Sequence, residues 1–441
     1  MIKQLIFGAS LLITIGVLTY TIRKYIAYFK LTKMNFPIRN IGKRISIMLE
    51  VAIGQTKIFR RPVLGFLHAL VFWGFCVILV GSVEMVVDGL AGTERALGVL
   101  GLVYNIIFGS GDVFALIIAF AIIIFLVRRL FLNVKRFNGI EMKHKNHLDA
   151  NIALSLILLL MITLLGMNTF YLENASRLGH DIVGVYPVSS FFATFFSGLS
   201  DARVYFLHEF NWWAHILIIF FFANYLPYSK HFHVYLSVPN VFLSRLQPLG
   251  YLSNMPNITK EVKLMLDPNA AMPETEEEGI EKFGVADIQD ISWKNYFDSL
   301  ACTQCGRCTA VCPANITGKK LSPRKIIMDV RARMKEVGDE LVKNKDFTDG
   351  KTMLRDYISE EELWACTTCN ACAQECPINI NHPSIIVDMR RYLVMEEAAG
   401  PSELNAMFNN IENNGAPWQF NQQDRMLWAE EIYMNKNNAD A

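Results

Sequence analysis

Charge is scarce in this chain. Of 441 residues only 19% are Asp, Glu, Lys or Arg, against 52% that are apolar, and the formal net charge is +1. So balanced a total gives no global field for nucleic acid. So apolar a composition is not that of an ordinary soluble protein of this length and implies a membrane portion. The chain also lacks a glycine-rich nucleotide-binding loop, a plausible catalytic triad and any pair of adjacent cysteines. Its nine cysteines are not scattered as in a disulfide framework. All but Cys76 stand in two groups at metal-ligand spacing, a pattern that belongs in a reducing compartment. Cys76 lies in an apolar run and reads as a small buried hydrophobe.

The first group is Cys302-Thr303-Gln304-Cys305-Gly306-Arg307-Cys308-Thr309-Ala310-Val311-Cys312-Pro313, and the second sets Cys366, Cys369, Cys372 and Cys376 before Pro377. Both read C-x2-C-x2-C-x3-C-P. This is the bacterial ferredoxin spacing, in which three close thiolates hold one cubane and the cysteine before proline reaches the other. The pattern assigns Cys302, Cys305, Cys308 and Cys376 to one [4Fe–4S] cluster. It assigns Cys366, Cys369, Cys372 and Cys312 to a second. A lone C-x2-C is shared with zinc sites, which gather four ligands about one ion. A tight three-cysteine turn instead suits three corners of a cubane, with the loop amides aimed at sulfur. Gly306 and Ala371 are read as the small residues where backbone meets cluster.

Five apolar runs, at about 4–22, 62–83, 102–127, 150–167 and 211–228, are long enough to span a bilayer as helices. The first is read as a retained helix rather than a secretory signal. No small-residue cleavage site precedes Arg23-Lys24, and more spans follow. Pro62, after Arg60-Arg61, suits a first helical turn. Gly109-Ser110-Gly111-Asp112 is expected to break the third run, with Asp112 lining the loop as the one acid there. Lysines and arginines gather in 23–61 and 128–145, whereas the other two loops carry Glu84, Asp88, Glu94, Glu173, Asp181 and Asp201. The positive-inside rule then places the N-terminus outside and the C-terminal part in the cytoplasm. That agrees with the reducing compartment read from the cysteines.

The expected architecture is an all-α membrane bundle of five transmembrane helices over residues 1–235, then a mainly α-helical ferredoxin-like dicluster domain over 291–400. Between them, 236–290 is a proline-punctuated connector whose acidic patch at 274–278 reads as a solvated loop. Within the dicluster domain, Ser322-Pro323 predicts one helix start and Asn381 another. The stretch 401–441 is a polar tail whose Trp418, Phe420 and Trp428 would dock on a neighbour or on the chain's own domain.

A histidine inside an apolar span is costly without a partner and marks a functional site. His68 lies two turns into the second span. His215 lies near the outer end of the fifth, and His231 and His233 at its inner end. Histidines facing each other at equal depth are what axial ligation of a b-type haem needs. At 1.5 Å per residue His68 is roughly 10 Å inside the cytoplasmic face, so it pairs with His231 or His233, whereas His215 is roughly 20–25 Å further out.

The His68 segment, together with His215, Leu226-Pro227-Tyr228, His233 and Ser237-Val238-Pro239, resembles the gamma subunit of respiratory nitrate reductase, a five-helix dihaem cytochrome b. The two cysteine runs resemble the ferredoxin-like component of heterodisulfide reductase and related membrane iron–sulfur oxidoreductases. The resemblance implies that His68 and His233 hold a haem b near the cytoplasm and His215 a second haem further out. Where that family has another histidine on the second helix, this chain has Ile78, so a second haem would need His180 or His208. Many such oxidoreductases also carry Cys-Cys pairs, which this chain lacks.

The resulting expectation is a membrane-bound electron-transfer subunit of a bacterial or archaeal cytoplasmic (inner) membrane. It would pass electrons between a cytoplasmic redox partner, two [4Fe–4S] clusters, haem b and the quinone pool. Lipid, quinone and a separate catalytic subunit, such as a heterodisulfide reductase B-like protein with Cys-Cys motifs, are the implied partners. The rival readings are an iron–sulfur oxidoreductase acting directly on a small substrate, and a membrane anchor or redox sensor with structural clusters.

Overall fold

The computed structural model describes residues 2–267, 282–430 and 432; the acidic patch at 274–278 lies outside the described residues. Among these the chain is helical throughout, with only isolated β-bridges such as Lys33 with Ser292. It divides into two compact units, residues 1–255 with 287–386, and 256–286 with 387–441.

The first unit opens with α1 (Ile2–Phe29), α2 (Ile41–Ile47), α3 (Pro62–Ala91), α4 (Leu102–Leu130), α5 (His144–Leu178), α6 (Pro187–Ala193), α7 (Asp201–Tyr225) and α8 (His233–Phe242). Five of these, α1, α3, α4, α5 and α7, are long and apolar enough to cross a membrane. Their ends follow local chemistry. Pro62 occupies the first turn of α3, and Gly92 and Gly179 close α3 and α5 in the left-handed conformation.

Helix α4 is unbroken, contrary to the reading of Gly109-Ser110-Gly111-Asp112 as an interruption. Gly109 lets the Val185 carbonyl approach. Asp112 is buried rather than loop-lining: it accepts hydrogen bonds from the backbone of Val188 and Ser189, the Ser189 hydroxyl and the Asn168 amide. On α3, Glu84 and Asp88 are buried too, with backbone N–H donors at Leu97, and at Arg95 and Ala96.

Helices α3, α4, α5 and α7 pack in sequence, and α1 closes against α3 and α7. Phe7 of α1 is wholly buried against Met85, Ile216 and Phe220. Gly89 makes that contact possible, because a Cβ there would lie 2.5 Å from the Phe7 ring. The outward faces carry large exposed apolar side chains, including Leu12, Val63, Phe120, Ile162 and Phe221. Cys76 is exposed among them rather than buried, because in this bundle apolar residues also face outward.

Residues 287–386 belong to the same unit and dock on one end of the bundle. They form α10 (Trp293–Ala301), α11 (Arg307–Ala310), α12 (Pro313–Ile316), α13 (Pro323–Lys343), α14 (Glu360–Trp364) and α15 (Ala371–Glu375), after α9 (Pro256–Leu266) of the second unit. Ser322 caps α13 as its sequence predicts, accepting from the Lys325 N–H. Polar ties hold the dock. Lys24 and the Tyr28 hydroxyl of α1 reach Asp339 at 2.6 and 2.7 Å. Arg324 binds Glu141 of the α4–α5 loop at 2.7 Å. Buried Lys294 joins Asp298 and Asn240.

Helix α16 (His382–Arg391) starts right after Asn381. In the second unit the Val285 N–H donates to the Asp388 carbonyl, α17 (Ser402–Asn414) follows, and Trp418, Phe420 and Trp428 are exposed.

Candidate redox site

The two cysteine loops are built alike. Helix α10, capped by Ser292, delivers Cys302; α14, with a Ser359/Glu362 capping box, ends just before Cys366. Two residues on, Gln304 and Thr368 have φ of 55° and 51°; two further, Gly306 and Asn370 have φ of 73° and 61°. The repeated pair of left-handed residues turns each loop so that amides face sulfur. The Gln304 N–H bonds Cys302 and the Thr368 N–H lies 3.4 Å from the Cys366 Sγ. The structural counterpart of Gly306 is thus Asn370, not Ala371. Gly306 is small for a second reason: a Cβ would sit 2.2 Å from the Arg136 carbonyl oxygen.

The loops cross. Burial and the thiolates of Cys305, Cys302 and Cys376 push the Cys308 thiol well above its ordinary range. Burial and Cys305 push Cys376 up to about 12, against hydrogen bonds from the Ile378 and Ile380 amides. On the other side, burial pushes up Cys312, whose sulfur neighbours are Cys366 and Cys369. Burial and Cys366 push Cys372 to about 12, with Cys312 and Cys369 adding to the effect. Cys376 thus lies near the first cysteine group and Cys312 near the second, and Cys372 of the second group also neighbours Cys308. Crowding like charges in a buried site is unfavourable unless cationic metal offsets it. Among the described residues no three His, Cys, Asp or Glu side chains converge on a point that would hold a single metal ion.

Cations surround the Cys302–Cys305–Cys308–Cys376 set. Arg307 donates to the Lys57 and Ile58 carbonyls, and Lys57 to the Cys376 carbonyl. Burial holds Arg136 down at about 10, with the Cys305 thiolate opposing. Burial and Arg129 hold Lys230 at about 8, with Asp149 and Cys302 opposing. In the sequence these bases speak only to orientation; the one local signal of a cationic site is Arg307, inside the first cysteine loop. The other set faces solvent at Cys369, which is exposed.

His68 of α3 lies within electrostatic reach of His233 and of Arg307. Its Nδ1 is buried with no hydrogen-bond partner. His233, first residue of α8, has Nδ1 3.2 Å from the Lys230 carbonyl, which only an N–H can satisfy, so its Nε2 keeps a free lone pair. His231 turns instead to Ser229, its ring 5.7 Å from that of His233.

His215 is buried on α7, with Nδ1 2.9 Å from the Thr163 hydroxyl. That hydroxyl faces the Leu159 and Leu160 carbonyls, so its proton goes there and His215 Nδ1 donates. Its Nε2 is left as an acceptor beside a small cavity lined by Ile78, Met85, Asp112, Asn168 and His215. Among the described residues no second histidine lines that cavity. His180 is exposed, and His208 lies against Tyr171 with Nε2 3.6 Å from Glu94.

Residues 301–380 match the family of the 4Fe–4S dicluster domain. The chain is 28% identical to a probable iron–sulfur-binding oxidoreductase, FadF, of Bacillus subtilis, over 93% of this chain and 58% of that protein. It is 27% identical to the EtfAB:quinone oxidoreductase of Syntrophomonas wolfei, over 89% of this chain and 54% of that one. Over 34% of its length it is 34% identical to a probable membrane-anchored ferredoxin of Chromohalobacter salexigens, covering 24% of that protein. The chain spans little more than half the length of the first two relatives. No solved structure matches. The chain is thus a mainly helical iron–sulfur protein with a 4Fe–4S dicluster domain, similar to oxidoreductases that transfer electrons.

Proposed function

We propose that this chain is the membrane electron-transfer subunit of a quinone-linked oxidoreductase. It would pass electrons between the quinone pool, a haem b at His68 and His233, the two clusters and a cytoplasmic partner. One observation carries the reading: His68, His233, Arg307 and the Cys302–Cys305–Cys308–Cys376 set are consecutive neighbours, and the second cysteine set follows with Cys369 at the surface. The five apolar helices with apolar outer faces, and the bases at the end that carries the cysteines, support insertion with that end in the cytoplasm.

The residues present suit a haem, because His68 has an unpartnered buried nitrogen and His233 a lone pair fixed by its bond to Lys230. Haem, when bound, supplies one-electron chemistry between a two-electron quinol and the one-electron clusters. The chain's own residues do the rest. Buried Cys302, Cys308, Cys312, Cys372 and Cys376 keep water from the sulfur sites. The amides of Gln304, Thr368, Ile378 and Ile380 stabilise thiolate charge, and Arg307, Arg136 and Lys230 offset it. His215, with Nε2 as an acceptor, would be the ligand of the second haem that the resemblance implies. The absence of Cys-Cys pairs assigns substrate chemistry to a partner, in keeping with a relative named for quinone reduction.

The test is a short-chain quinol mixed with purified holoprotein under anaerobic stopped flow. Cluster bleaching should follow haem reduction, and His68→Ala should abolish quinol-driven but not dithionite-driven bleaching. Quinol-driven bleaching at the wild-type rate in His68→Ala would sink the route through His68.

A further inference from the structure

We infer that Arg61, Arg128, Arg136 and Arg307 form a carboxylate site that receives the propionates of the haem proposed at His68 and His233. The inference rests on that haem reading and assigns the residues that hold the cofactor's charged edge.

The four come from separate segments: Arg61 just before α3, Arg128 in the last turn of α4, Arg136 in the loop beyond it, and Arg307 at the start of α11. They nevertheless converge. Arg136 has Arg61, Arg128 and Arg307 as electrostatic neighbours, Arg307 has Arg61, and Arg128 has Arg61. Arg128 and Arg136 both lie over the Phe137 ring, at 5.2 and 5.1 Å.

Among the described residues no carboxylate pairs with any of the four. Of the nearby acids, Glu375 pairs with Arg60 while also neighbouring Arg307, and Glu141 pairs with Arg324. Arg307 spends its hydrogen bonds on the neutral carbonyls of Lys57 and Ile58. The Arg136 Nε is buried with no partner at all. Like charges do not gather in a half-buried place without an anion between them.

The cluster thiolates supply part of that anion. Cys305 faces both Arg136 and Arg307, and Cys376 faces Arg307. They leave Arg128 unanswered, since its charged neighbours, Arg61, Arg129 and Arg136, are all cations. A second anion is therefore called for on the bundle side of the cysteines. That is where Arg307 meets His68. A b-type haem is an apolar plane with two carboxylates on one edge. Were His68 and His233 to hold such a group, the arginines at the polar end of the bundle would be the cations available to its carboxylates. Planar guanidinium groups suit carboxylates there because each pairs through two parallel N–H donors. Arg307 then touches the charged edge of one cofactor and the ligands of the next.

The experiment uses purified holoprotein, with Arg128→Gln, Arg61→Gln/Arg128→Gln and Arg128→Lys variants. Haem content, total iron, cluster EPR, co-purified phospholipid phosphate and the rate of haem transfer to excess apomyoglobin are measured on each. Haem transfer should be at least tenfold faster in the double variant and intermediate in Arg128→Lys, with iron and cluster EPR unchanged. Unchanged haem transfer with lost phospholipid would make this a lipid headgroup site and overturn the inference. Unchanged haem transfer with shifted cluster signals would make the arginines counter-ions of the cluster alone, overturning it equally. A wild-type protein without haem would instead remove the parent reading, and that is seen before any variant is made.

Discussion

The Arg324–Glu141 pair gives the sharpest stability prediction, because it is buried, long-range and fully described. Arg324 has no exposed surface. Its Nε donates to Glu141 at 2.7 Å, Nη1 to the Arg136 carbonyl at 2.8 Å and Nη2 to the Asn138 carbonyl at 2.9 Å. The Ser322 hydroxyl gives Glu141 a second donor at 2.8 Å. One guanidinium thus fastens the α4–α5 loop to the start of α13, and so the bundle to the dicluster region. Arg324→Ala strands a buried carboxylate and two carbonyls. Breaking a buried pair on one side costs about 3–5 kcal/mol, a large share of the roughly 5–15 kcal/mol that holds a typical domain. Glu141→Gln strands the guanidinium and should cost a similar amount. Replacing both with Arg324→Met/Glu141→Leu should recover most of the loss, since neither charge is then left alone. The assay is denaturant-induced loss of cluster absorbance in detergent-solubilised protein, with haem absorbance followed in parallel. Single variants that lose less than about 1 kcal/mol would refute the claim that this pair is the fastening.

Other consequences concern the cysteines and acid. Cys376→Ser should perturb the EPR of the cluster held by Cys302, Cys305 and Cys308, and Cys312→Ser that of the other; the reverse assignment would show that the loops do not cross. His382 is buried with an unpartnered Nδ1, and burial lowers it to about 4, against a bond to the Ile380 carbonyl. Its folded value lies below the ordinary 6.5, so the unfolded chain takes up a proton that the folded one refuses. Stability from this group is whole above about pH 6.5 and falls as pH drops toward 4. The loss reaches about 3 kcal/mol, at about 1.4 kcal/mol per unit of pKa difference. His382→Gln should flatten that acid limb of cluster retention, and an unchanged limb would assign it to other groups.

The cysteine spacing carried much of the candidate site, because ligand geometry is local: Cys302 to Pro313 and Cys366 to Pro377 each fold on themselves. The apolar runs placed the five long helices, although α5 and α7 extend well beyond their apolar stretches. Other features were hidden. Gly109 looks like a helix breaker, yet in a close-packed bundle its lack of a side chain admits the Val185 carbonyl. Asp112 finds its donors on α6 and α5, far along the chain. The Arg324–Glu141 pair joins residues 183 apart with no pattern to announce it. Arg307 likewise joins Arg61, Arg128 and Arg136 only when the dicluster region docks.

The central claim is that one chain holds a haem at His68 and His233 above two cubanes. Reduced-minus-oxidised spectra with haem and iron quantitation, before and after His68→Ala, test it most directly. The account predicts a b-type haem in the wild type, its loss in the variant, and an unchanged iron–sulfur content. A wild type with no haem absorption, or a variant that keeps its full haem content, would contradict it.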